Sequence, residues 1–166
     1  MTRPTLAPRN VPVGVPVPDD DLLTSMLLFT LGGEHFAIDL AACEEVLEWP
    51  DVERVSGMPP AALGVFALRG RLVGLYSPES VLYVRRSADV GVVLVIHALG
   101  KRIALALDDV DEVIGVDVAG LQRPRVRDAA DGILLGIARH GDALVGVVDV
   151  EALAAACTNT MAGESR

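Results

Sequence analysis

The chain has 166 residues, a formal net charge of −9 and two cysteines. That length bounds it to about one domain, large enough to bury a core without a disulfide or metal staple. The acidic balance argues against nucleic acid or an anionic membrane surface as partner. Cys43 and Cys157 form no CxxC or Cys/His spacing, so neither zinc nor any other cofactor is implied. No stretch approaches the roughly 18 apolar residues of a membrane span, and the N-terminus carries prolines where a secretory signal has an apolar run. These features predict a soluble cytoplasmic protein with no direct membrane insertion.

Residues 1–24 hold Pro4, Pro8, Pro12, Pro16 and Pro18 and then Asp19-Asp20-Asp21. Proline removes the donor that helices and central strands need, so this segment is expected to be a disordered tail. Met26–Leu31, the turn Gly32-Gly33 and His35–Leu40 read as a hairpin. Cys43–Leu47 reads as a strand, although Ala41-Ala42-Cys43-Glu44-Glu45 also tolerates a helical turn. Val65–Leu68, Arg69-Gly70 and Leu72–Tyr76 form a second hairpin. Ser77-Pro78 then opens a short helix to about Val84, with proline at its first position. Val92–Leu99, Gly100-Lys101 and Arg102–Leu107 make a third hairpin, followed by the β-branched strand Val110–Val116. Ile133–Ala138, His140-Gly141-Asp142 and Ala143–Val148 make a fourth. Asp149 caps a helix over Val150–Ala156. Residues 158–166 lack periodicity and are expected to be a second disordered tail.

The two halves repeat. Phe36-Ala37-Ile38 faces Ile103-Ala104-Leu105, and Glu45-Val46-Leu47 faces Glu112-Val113-Ile114. Gly64-Val65 through Leu72-Val73-Gly74 faces Gly136-Ile137 through Leu144-Val145-Gly146. Each half supplies five short strands, and five short twisted strands close most readily into a small barrel. The fold class expected is all-β, two five-stranded barrels in tandem within residues 25–157, their lobes interleaved along the chain, with short helices after the strand ending near Tyr76 and at the C-terminus.

Enzyme motifs are lacking: there is no GxSxG, P-loop or HExxH. Gly32-Gly33 opens a strand rather than a helix, so it is a turn and not a phosphate cradle. Asp108-Asp109 with Asp111-Glu112 is dense in carboxylates, but a solvated turn accounts for it better than a metal site. Trp49 is either an exposed binding residue or a plug between lobes. Arg85-Arg86 and residues 123–127 are local basic clusters in loops. Two residues stand out. Glu45 lies inside an apolar stretch, where a carboxylate must be edge-exposed or paired. Arg69 sits on a tight hairpin turn, where its guanidinium becomes a rigid donor fork. The alternative for each is a charge kept for solubility.

From Met26 to Leu153 the chain resembles the CheW-type coupling proteins of bacterial chemosensory arrays. The residues that carry the resemblance include Leu28–Glu34, Phe36–Asp39, Glu44–Leu47, Val52–Val55, Gly64-Val65, Leu68-Arg69-Gly70, Val92–Leu99 and Asp111–Ile114. The resemblance implies two SH3-like barrels around a shared core and a non-enzymatic adaptor. Its implied partners are the cytoplasmic tip of a chemoreceptor and the regulatory domain of a chemotaxis histidine kinase. It places Cys43, Glu45 and Val46 on a partner-binding strand, and Leu68, Arg69 and Gly70 on a turn that contacts receptor and array. The family's usual Asn before that turn is Ala67 here. Its Asp and Arg after the following strand are Ser77 and Glu79, the latter a charge reversal. The alternative expectation is therefore a divergent module for another signalling protein, keeping only one of the two array interfaces.

Overall fold

The computed structural model describes residues 11–12, 23–87, 91–122 and 132–159. Among these described residues, eleven strands and two α-helices follow in chain order. They are β1 (Val11–Pro12), β2 (Thr24–Leu31), β3 (Glu34–Asp39), β4 (Cys43–Glu48), β5 (Ala62–Leu68), β6 (Arg71–Tyr76), α1 (Glu79–Leu82), β7 (Val92–Ala98), β8 (Lys101–Leu107), β9 (Asp109–Val116), β10 (Leu134–His140), β11 (Ala143–Val148) and α2 (Val150–Thr158). The basic cluster at 123–127 lies outside the described residues, as do most of the two terminal tails.

The strands form two sheets, in the orders β1-β4-β7-β8-β6-β5 and β10-β11-β3-β2-β9. Barrel one is thus β4–β8, and barrel two takes β2 and β3 from the first half of the chain and β9–β11 from the second. The sequence halves are not the barrels. Each barrel combines strands of both halves. In barrel one, strands β4 and β5 bring Leu47, Phe66 and Leu68 into one interior cluster with Val93, Val95, Ala104 and Ala106 of the central strands. Met26, Leu28, Ala37, Ile114, Val116, Val145 and Val147 fill barrel two in the same way.

Side chains alternate faces along a strand, and the central strands use both. In β7, Val93 and Val95 point into barrel one, while Val92, Leu94 and Ile96 join a third cluster between the barrels. In β2, Leu27, Phe29 and Leu31 join that same cluster while Met26 and Leu28 fill barrel two. Burial on both faces explains why these strands read as unbroken apolar runs. Phe29 and Phe36 stack within the shared cluster at a centroid distance of 5.5 Å. Helix α2, capped by Asp149 through the Ala152 amide, buries Leu153, Ala154 and Cys157 there.

The ambiguity at Cys43–Leu47 resolves into both forms: a 3-10 turn over Leu40–Ala42 followed directly by β4. Other expectations need correction. Helix α1 covers only Glu79–Leu82, because Tyr83 turns left-handed at φ 58° and ends it short of Val84. Thr24 begins β2 and Thr158 ends α2, although both fall in the expected tails. Val11-Pro12 pairs with Val46 and Glu45 at the outer edge of β4. Proline is tolerated there because an edge strand leaves one row of backbone groups unused. Asp108 is more than a solvated turn residue: its carboxylate accepts from the amides of Gly32 and Ser87. Trp49 is neither exposed nor a plug between lobes. It packs half-buried against the barrel-one cluster, with the Arg86 guanidinium 5.0 Å from its ring centroid.

The repeat survives in detail at Gly64 and Gly136. Each lies beside a bulge, in β5 and β10, where a loop segment bridges onto the strand, Glu53↔Val65 and Gln122↔Ile137. A Cβ on Gly64, at φ +147°, would sit 2.4 Å from the Glu53 carbonyl oxygen. Gly64→Ala should therefore cost about 2–4 kcal/mol through overpacking and backbone strain. Gly33→Ala, at φ +79° in open space, should cost about 1 kcal/mol. Urea denaturation of both variants checks the order.

Candidate partner-binding site

Arg69 and Gly70 are the two central residues of the β5–β6 hairpin, with φ of 51° and 80°. Positive φ at both positions matches the twist of the flanking strands and is normally met by Asn-Gly or Gly-Gly. An arginine there carries local strain, which points to a use for its side chain. The guanidinium reaches across to β4 and donates from Nη1 and Nη2 to the two Glu45 carboxylate oxygens, both at 2.6 Å.

Glu45 reaches this position through a bulge in β4, between Cys43 and Glu45. Its side chain is 9% exposed, against 57% for Arg69. A carboxylate so buried requires a partner, and a parallel two-point contact is the strong geometry for a guanidinium. Glu45 in turn holds Arg69 further above its already high protonation range, first by the hydrogen bond and then by charge. The two residues that stood out separately in the sequence are therefore one feature. Because β4 and β5 are the two ends of the five-strand run β4-β7-β8-β6-β5 that makes barrel one, this pair ties its seam together.

The other expected site residues divide. Val46 belongs to the shared core and Leu68 to the barrel-one interior. They fix the strand and turn but offer little surface. Gly70 is exposed at the tip. Cys43 is half-buried, and its thiol donates weakly to the Asp39 carbonyl at 3.5 Å. Burial, reinforced by the Asp39 carboxylate, pushes its pKa up to about 12. Burial alone does the same to Cys157.

Sequence reasoning missed three further charged residues' contacts, the first of them beside this site. Arg102 of β8 donates to Glu44 at 2.9 Å, beside the Glu45 pair. His140 meets Glu112 at 3.2 Å at the matching seam of barrel two. The repeat itself carried that signal, since Glu112 matches Glu45 and the His140-Gly141 turn matches that of Arg69. The third involves Glu79, the charge-reversed position. Its carboxylate accepts from the Ser77 hydroxyl at 2.9 Å and from the Arg86 amide. Among the described residues, no cluster of His, Cys, Asp or Glu could hold a metal ion. A cleft of about 520 Å³ lies between the barrels, lined among others by His97 on one side and Met26, Asp39, Leu135 and Glu151 on the other.

Two interleaved five-stranded barrels, sharing one core and carrying a charged pair at one barrel end, define a binding scaffold. The family described as "CheW-like domain" matches residues 25–157, and the chain belongs to that family. Among curated relatives, Chemotaxis protein CheW of Treponema pallidum (strain Nichols) is 24% identical over 158 residues, covering 90% of this chain and 91% of that protein. Chemotaxis protein CheW of Klebsiella aerogenes is 28% identical over 137 residues, covering 76% and 79%. The crystal structure of scaffolding protein TtCheW from Thermoanaerobacter tengcongensis shares the fold at a TM-score of 0.70 and 20% identity, covering 79% of this chain and 92% of that one.

The pair predicts a stability signature. Arg69→Ala leaves a nearly buried carboxylate unpartnered and should lower Tm by several degrees. Adding Glu45→Gln should recover part of that loss, since the charge itself is then gone. Thermal melts of the two single variants and the double variant check it. The thiols give a second test. With pKa values about 12, the thiolate fraction at pH 8 is about one part in ten thousand. A thiol-reactive dye should label neither cysteine in the folded chain, and both in urea.

Proposed function

We propose that this chain is a non-enzymatic scaffold that couples the cytoplasmic tips of chemoreceptors to the regulatory domain of a chemotaxis histidine kinase. The observation that carries this reading is the match of the CheW-like family across residues 25–157, a span that includes nearly all of the ten strands of the two barrels. The curated relatives are chemotaxis proteins by name, and partners among chemotaxis signalling proteins follow from that family. In this reading the protein works in the cytoplasm and reaches the membrane only through receptor arrays. Among the described residues, no helix is long and apolar enough to cross a membrane.

The assignment of partners to surfaces rests on shape and charge. A receptor tip is a helical hairpin, and the cleft between the barrels suits a helix laid into a groove. The exposed guanidinium of Arg69, pre-oriented by Glu45, suits a partner that offers a carboxylate or carbonyl at the barrel-one end. Weak contacts gain strength when repeated across an array.

A second reading has its own observation. Glu79 stands where the family carries an arginine, and its half-buried carboxylate accepts from the Ser77 hydroxyl and the Arg86 amide. An interface that needs a cation there would be absent, leaving a module with one of its two array interfaces.

Co-purification with an isolated receptor signalling tip and an isolated kinase regulatory domain separates these readings. The coupling reading expects both to be retained. Retention of one alone selects the second reading, and retention of neither removes both. Arg69→Lys keeps the charge beside Glu45 but removes the two-point fork. It should weaken capture of one partner roughly tenfold with little change in Tm. Unchanged capture of both partners would overturn the assignment of Arg69.

A further inference from the structure

Barrel one carries a split in its sheet that barrel two does not. Strands β6 and β8 run parallel and pair at Leu75↔Ala104 and Tyr76↔Leu105. Continuing that register back along both strands would pair Gly74 with Ile103 and Val73 with Arg102. Neither pair forms. In barrel two the corresponding ladder does continue: Val145↔His35 and Gly146↔Phe36 precede Val147↔Ala37. By the repeat, Val145 and Gly146 are the counterparts of Val73 and Gly74, and His35 and Phe36 those of Arg102 and Ile103.

Where the ladder stops, a cleft of about 750 Å³ opens between the strands. Arg71, Leu72, Val73 and Gly74 line one side, and Gly100, Lys101, Arg102 and Ile103 the other, with His97 and Tyr76 completing it. Tyr76 packs over the β6 wall of this cleft. Its ring lies so close to Gly74 that a Cβ there would sit 2.9 Å from Tyr76 Cε1 and Oη. Its counterpart in barrel two is Val148, and there the ring packed against the equivalent Gly146 is that of Phe36, 3.1 Å from where a Cβ would sit.

The split combines three recognition elements. Its walls are strand edges with no partner strand over Arg71–Val73 and Lys101–Ile103 on the side facing the split, among the described residues, and such edges accept an added strand. Its rim is basic in a chain of net charge −9. Arg102 is committed to Glu44, but among the described residues Arg71 and Lys101 have no carboxylate partner. Leu72 is 75% exposed at the same rim and offers an apolar contact. The mouth lies beside the Arg69 turn, since Arg71 follows Gly70 directly.

We propose that the β6–β8 split is a binding site for an extended acidic peptide segment, laid along the open strand edges. Its backbone meets those edges, its carboxylates meet Arg71 and Lys101, and an alternate apolar side chain covers Leu72. The site shares only His97 with the cleft between the barrels, among the lining residues of the two, and does not depend on the adaptor reading.

The test uses the full chain and short fluorescein-labelled peptides, one alternating glutamate with valine and one alternating lysine with valine. The acidic peptide should bind at low salt, and the basic one should not. The Arg71→Glu/Lys101→Glu double variant should keep its Tm, because both side chains are exposed, and lose at least about tenfold in affinity. Amide NMR shifts on binding should centre on Leu72–Val73 and Lys101–Ile103. No binding, equal binding of both peptides, an unaffected double variant, or shifts centred elsewhere would each overturn the proposal. None of these outcomes bears on whether array partners are captured, so failure here leaves the adaptor reading standing, and the reverse.

Discussion

The constraint on which the rest of the structure depends is that the central strands are buried on both faces. β2, β7 and β8 each send alternate side chains into a barrel and into the cluster between barrels. Small residues such as Ala104 and Ala106 face the narrow interior of barrel one, while Ile103, Leu105 and Leu107 of the same strand face its neighbour. Neither barrel could be pulled from the other without exposing that second face. Exposing that apolar face to water is opposed by about 25 cal/mol per Å². The two barrels therefore behave as one body. Surfaces for partners remain at strand edges, hairpin turns and the barrel ends.

The charged residues of consequence lie in those places. A sheet that curls into a barrel must join its first and last strands, and here a side-chain pair assists each join. In barrel one the pair is nearly buried on its Glu45 side and doubly hydrogen-bonded. In barrel two the equivalent Glu112–His140 contact is a single one, with both side chains about half exposed, where solvent screening leaves little. The repeat preserved the position of the join while its strength diverged. The end of barrel one consequently has the better fixed surface. Its exposed guanidinium is held at a set angle by a carboxylate that is itself packed in place.

Much of this was legible in the sequence. The hairpins at Gly32-Gly33 and Arg69-Gly70 were marked by glycine, and the strands by their apolar runs. The repeat of Glu45-Val46-Leu47 as Glu112-Val113-Ile114 announced a two-lobed body. That the lobes interleave along the chain was expected, but which strands each barrel takes was not legible. A periodic pattern shows that a strand is buried but not which neighbour buries it, so the exchange of β2 and β3 into a barrel with β9 could not be read. The pairing of Glu45 with Arg69 was hidden for the same reason: 24 residues separate them, and only closure of the sheet brings them together. The inward use of Glu79 escaped notice because a charge reversal looks like a surface change until the Ser77 hydroxyl and the Arg86 amide are seen to hold it. The end of α1 at Tyr83 carried no signal, since nothing in that residue type announces a left-handed backbone.

The way each half of the chain is divided has a bearing on how such a molecule could arise. One half supplies β2 and β3 to one barrel and β4, β5 and β6 to the other. A lone half would hold two unfinished barrels and could close neither. Two identical halves meeting in solution could close both at once, each lending the other the strands it lacks. That arrangement is a domain-swapped dimer. Joining its two members end to end would give a single chain with the present topology, and would free each copy to change independently. On this view the split beside β6 and the weak seam at His140 are differences that a symmetric dimer could not have kept, because in it any change to one barrel would have been made to both.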